Sequence, residues 1–164
     1  MSMLCFAGFQ TRIGYIDVKS SPVYFYVQRY ENFNKTNTPI LFDVEKLNVG
    51  GAMNLTSGKF TAPRNGTYTF AFTGSAYFPF SSSSSRAYVY VDMYLNGSEI
   101  AMGVADEVST GDQWETLSFQ STLNLQKGDE IWLQIVNLST GAYLVGRYFT
   151  FFSGHLLEEK IAVA

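Results

Sequence analysis

Cysteine is almost absent. Cys5 is the only one in 164 residues, so no intrachain disulfide can form. A lone thiol near a terminus is either inert or half of an interchain bridge. Histidine is equally scarce: with His155 alone, neither a Cys/His zinc cluster nor a multi-histidine metal cage can be assembled. No nucleophile–base pair stands out and no GxSxG motif is present, so an enzyme is not expected. Charge is also thin. Lys and Arg total 11, Asp and Glu total 14, and the formal net charge is −3. The cations form no run, which argues against nucleic acid or an anionic membrane surface as the main partner. No apolar stretch reaches the length of a membrane-spanning helix, so membrane insertion is not expected. Residues 1–9 are weakly apolar but lack the basic start and full apolar stretch of a signal peptide.

What is abundant is aromatic. Phe numbers 14 and Tyr 11, in a chain that is 46% hydrophobic. Rings of this kind suit pleated, half-buried surfaces and lean the reading towards β structure. The length fits one domain with a core that needs no staples. Short alternating runs recur along it, bounded by Gly, Pro, Asn or Ser. They fall at residues 23–29, 40–44, 60–62, 67–73, 88–95, 99–104, 117–125, 131–135, 143–148 and 151–157. Asn96-Gly97 is a strong hairpin signal, because both residues accept positive φ. Ser81 to Ser85 read as a flexible loop. No helical stripe of 11 residues or more is visible. About ten short strands point to an all-β sandwich or jelly roll. Residues 1–21 read as a lead-in, 22–158 as the domain and 159–164 as a solvated tail.

Several strands are apolar or aromatic on both faces. Tyr88, Tyr90 and Tyr94, with Asp92 among them, stand opposite Val89, Val91, Met93 and Leu95. One buried face per sheet suffices for a monomeric sandwich. The second face fits either subunit packing or tyrosines whose hydroxyls stay wet.

Gly58 to Phe72 read GKFTAPRNGTYTFAF, Leu125 to Ile135 read LQKGDEIWLQI, and Phe151 to Leu157 read FFSGHLL. With Pro39-Ile40-Leu41-Phe42-Asp43 upstream, these blocks resemble, in order, the signature segments of the complement C1q globular-head family. The resemblance implies a ten-stranded jelly roll of the kind shared with tumour-necrosis-factor ligands, and a trimer about a threefold axis. It also implies a secreted, non-enzymatic recognition module for an extracellular protein or glycan ligand. Two alternatives stay open: a cytokine-like trimeric ligand for a cell-surface receptor, and the trimerising head of a matrix protein. Ala62 stands where the family often has Cys, and no Gly-X-Y stalk lies in this chain.

By the same resemblance, Tyr68, Phe70 and Phe72 with Phe152, Gly154 and Leu156 lie on strands that face the threefold axis, in the trimer interface or the core beside it. Asp106, expected in a loop after residues 100–105, is a candidate calcium ligand; a solvated acidic loop is the plainer reading, and no cofactor is required. Tyr77, Phe78, Phe80 and Arg86 flank the serine run and form the candidate ligand loop, unless the rings pack beneath it. Asn34, Asn54, Asn65, Asn96 and Asn137 each head an Asn-X-Ser/Thr sequon. His155 reads either as a packed aromatic substitute or as a pH-sensitive element of the trimer.

Overall fold

The computed structural model describes residues 21–80, 86–108 and 113–161. Eleven antiparallel strands make up the described chain, and they form two facing sheets. The first sheet runs β2 (Val44–Val49), β1 (Tyr24–Gln28), β11 (Phe151–Glu159), β5 (Gly66–Phe78), β8 (Gln113–Leu125), and the short β10 (Tyr143–Leu144) continues the β11 side of β5. The second runs β3 (Met53–Asn54), β4 (Lys59–Thr61), β9 (Glu130–Leu138), β6 (Arg86–Leu95), β7 (Ser98–Val108). The chain crosses repeatedly between the sheets, which is the jelly-roll connection expected.

Alternation decides what each strand buries. On β5, Tyr68, Phe70, Phe72, Ala76 and Phe78 point between the sheets. Val89, Val91 and Met93 of β6 and Ile131, Leu133 and Ile135 of β9 meet them from the other side. The centre is aromatic. Phe70 lies 5.1 Å from Phe60, 6.1 Å from Phe152 and 6.3 Å from Phe25, centroid to centroid. Edge-on and offset ring pairs at such distances add to the gain from burial alone. The buried Tyr68 hydroxyl donates to the Arg64 carbonyl at 2.9 Å, so its polar end is satisfied.

Gly154 makes this ring packing fit. It pairs with Phe25 on one side and Phe70 on the other, and both rings fold over its bare backbone. A Cβ there would lie 2.6 Å from each ring. Gly154→Ala is expected to lose about 1–3 kcal/mol through overpacking, seen as a lower denaturant midpoint with an unchanged slope. An unaltered midpoint would show that the rings can move.

Strand expectations change in several places: β5 and β8 extend beyond 67–73 and 117–125, and β3 and all but the first residue of β2 have no counterpart among the expected runs. Residues 40–43 are not a strand, and only Val44 of the expected run opens one, β2. Ile40 and Phe42 are buried, but the run passes from the second sheet to the first, held by the Ile40 N–H to the Leu133 carbonyl at 2.7 Å. The buried Arg29 guanidinium ties the same crossing down by donating to the carbonyls of Leu41 and Glu31. The run at 143–148 pairs only over two residues, because Arg147 and Tyr148 turn back with positive φ of 50° and 71°. The return strand after Asn96-Gly97 is longer than expected and reaches Val108. The turn itself is as expected, with φ of 50° and 92° at its two residues.

Candidate functional site

Two outward sheet faces remain once the core is filled, and they differ in chemistry. On the first sheet, β5 presents Thr67, Thr69, Ala71, Thr73 and Ser75 outward. Its neighbour β8 presents Thr116, Ser118, Gln120, Thr122 and Asn124 beside them. None of these side chains is charged, which is unusual for a face meant to stay in water. Aromatic rings flank the strip. At one end Tyr77 stacks on Tyr143 at 4.9 Å and meets Trp114 edge-on at 5.5 Å. Trp114 in turn reaches Phe149 at 6.5 Å, and both are more than half exposed. Nearer β1, Tyr26 and Phe151 pack edge to face at 5.7 Å. His155 lies exposed on the same face, opposite Tyr24 and Thr69.

This divides the residues read from the resemblance. Tyr68, Phe70, Phe72 and Phe152 are sealed in the core of one subunit; Gly154 is buried with them and Leu156 packs against them. What these strands offer outward is their opposite face. The loop candidates also part company. Phe78 is buried in the core, Tyr77 belongs to the ring group just described, and Phe80 is 61% exposed. Arg86 opens β6 with its guanidinium 2.6 Å from Asp106. Residues 81–85 lie outside the described residues.

Asp106 is not in a loop. It sits in β7, opposite Tyr88, and its carboxylate is already neutralised by Arg86. Among the described residues no three His, Cys, Asp or Glu side chains gather as a metal site. Calcium takes six to eight oxygens, so this carboxylate alone does not assemble a calcium site. The sequon asparagines Asn34, Asn54, Asn65, Asn96 and Asn137 are all exposed. Asn96 differs in that its Nδ2 donates to Asp129 at 2.9 Å while its Oδ1 accepts from the Glu130 N–H at 2.8 Å. A glycan there would disturb the Asp129 contact.

The outer face of the second sheet carries Tyr88, Tyr90 and Tyr94, the tyrosines that fit either subunit packing or a wet surface. Tyr88 and Tyr90 meet edge-on at 5.4 Å, and Tyr94 stacks on Trp132 at 5.6 Å. Lys59 Nζ lies 4.4 Å above the Trp132 ring and 2.8 Å from Glu130. Trp132 Nε1 donates to Gln134 at 3.2 Å. In the middle is Asp92, only 2% exposed, with an Oδ1 that has no hydrogen-bond partner. Burial, with the negative charge of Glu99 second, raises the Asp92 carboxyl to about 6. Burial raises the Tyr94 phenol too, and Asp92 and Glu99 add to it. The only signal in the sequence is a carboxylate interrupting an alternation of tyrosines.

Comparison with known proteins agrees with this architecture. A family model of the C1q domain matches residues 24–157. Complement C1q tumor necrosis factor-related protein 3 of Mus musculus is 32% identical over 130 residues, which are 78% of this chain and 48% of that protein. Caprin-2 of Danio rerio is 31% identical over 142 residues, 84% of this chain and 14% of that protein. The chain thus spans about half, or less, of these relatives. Among solved structures, the globular domain of zebrafish complement 1qA superposes with a TM-score of 0.62 at 19% identity, covering 84% of this chain and 98% of that one. The Eiger TNF of S. frugiperda gives 0.66 at 9% identity, covering 88% and 98%. The two share the fold. With the family's domain matched over nearly the whole described length, the chain belongs to the C1q-domain family.

Proposed function

We propose that the domain is a secreted, non-enzymatic, trimeric binding module that recognises an extracellular protein or glycan. The observation that carries this reading is the uncharged strip of β5 and β8 on the outer face of the first sheet, framed by Tyr26, Phe151, Tyr77 and Trp114. Charge is depleted and aromatics are enriched at the centres of protein interfaces. Exposed aromatic rings grouped on one surface mark an interaction site. Assembly through that face leaves the loops at the Tyr77–Arg86 end and the outer face of the second sheet open to ligand.

Solution mass by light scattering tests the assembly. Three 18.3 kDa chains give about 55 kDa before any glycan. Ser118 is exposed at the centre of the face, so Ser118→Arg buries a charge only if a second copy covers it. The variant is expected to run as an 18.3 kDa monomer with an unchanged circular dichroism spectrum. A monomeric wild type, or a variant that assembles normally, would remove the trimer from this reading.

A further inference from the structure

The outer face of the second sheet holds Glu130, Asp106 and Asp92 in three neighbouring settings, two of them filled. Lys59 meets Glu130 at 2.8 Å and Arg86 meets Asp106 at 2.6 Å. Asp92, on β6 between β9 and β7, has no cation and no hydrogen bond to Oδ1 among the described residues. A buried carboxyl oxygen without a partner opposes folding, so its presence needs a reason.

Its surroundings indicate what would relieve it. Tyr90 and Tyr94 lie two residues away on the same face of β6, and Met102 and Gln134 stand directly across the ladder. Glu99 adds negative charge from β7. Tyrosine faces attract cations electrostatically. The same sheet shows the arrangement completed one position along, where Lys59 lies over Trp132 and against Glu130. Asp92 has the acid and the rings but not the cation.

We propose that Asp92, with Tyr90 and Tyr94, receives an arginine or lysine side chain from a partner protein. Met102 is the movable cover: it is half exposed, and its unbranched thioether chain can swing aside. A hard metal ion would need further oxygen ligands that are not gathered here, and a phosphate would be repelled. Glu99, opposite Tyr94, adds to the negative field, while Lys59 with Glu130 and Arg86 with Asp106 are already paired and do not compete. This inference rests on the reading of the domain as a binding module. It uses the face that assembly leaves free, so it fails independently of the mass measurement.

The test is a titration of isotope-labelled protein with N-acetyl-arginine methylamide, followed by nuclear magnetic resonance. Saturable shifts are expected on the outer face of β6, β7 and β9. With the probe bound, the Asp92 carboxyl should titrate about one pH unit lower, because a nearby cation favours the charged form. Asp92→Asn should weaken binding about tenfold, as loss of a charge-assisted contact does. The neutral N-acetyl-citrulline methylamide should give no saturable shift. The proposal is overturned by shifts confined to other surfaces, by equal binding of the neutral probe, or by undiminished binding to Asp92→Asn. It is also overturned by no saturation at about 50 mM, well above the millimolar Kd expected of one such contact.

Discussion

Phe70→Ala is expected to destabilise the protein by about 3–5 kcal/mol, the range for truncating a fully buried phenylalanine. The ring has no solvent exposure and packs against Phe25, Phe60, Tyr68 and Phe152. Those neighbours come from four separate strands, so none can follow the missing ring far into the cavity without disturbing its own contacts. Because the site lies inside one subunit, the difference between variant and wild type should be the same in dilute and concentrated protein. A residue buried only between copies behaves otherwise, since its contribution fades as the assembly dissociates. Denaturant midpoints at two protein concentrations, a hundredfold apart or so, separate the two cases. A loss that shrinks on dilution would move Phe70 from the core to the interface.

The same distinction explains how much of the molecule was legible in the sequence. Period-two alternation marked β1, β5, β6 and β9 well, because each of these strands offers one wholly apolar face to the core. It also identified Tyr68, Phe70 and Phe72 as one face. It could not say what covers that face, since the covering rings of Phe25, Phe60 and Phe152 arrive from distant parts of the chain. Residues 40–44 carry a strand-like apolar pattern for a different reason: Ile40 and Phe42 anchor a crossing from the second sheet to the first. Asp106 lies in a strand and not a loop because β7 runs on to Val108, which pairs with Arg86, and the Arg86 side chain meets Asp106 along the same edge. The uncharged strip on β5 and β8 was present in the sequence as Thr, Ser, Gln and Asn. It becomes a surface only once the two strands are known to be neighbours. Asp92 was least legible of all. A carboxylate among tyrosines reads as an ordinary solvated residue until Tyr90, Tyr94, Met102 and Gln134 are known to surround it.

Asp92→Asn is expected to stabilise the domain, and to do so only where the carboxyl would be charged. The ordinary value of 3.8 is raised to about 6 in the fold, chiefly by burial. The folded state therefore holds the proton more tightly than the unfolded chain. The stability this contributes is fully present below about pH 3.8 and is lost as pH rises through about 6. At pH 8 the charged form opposes folding by about 3 kcal/mol, taking about 1.36 kcal/mol per pH unit. Asparagine has the same shape and never ionises. The variant should thus exceed wild type by about 2–3 kcal/mol at pH 8 and match it near pH 3.5, with the gap opening between about pH 4 and 6. Denaturant midpoints across that range measure the gap, and comparing the two proteins cancels every other titrating group. A gap that stays constant with pH would mean that packing, not charge, separates them; a wild type more stable at pH 8 would mean that the carboxylate has a cationic partner within the chain. The size of the expected gain also bears on function. The size of that gain is what the unpartnered charge costs, and it is the cost an arriving cationic partner would relieve. Saturating wild type with the arginine probe should then close most of the gap at pH 8, because binding to the folded state alone stabilises it by linkage.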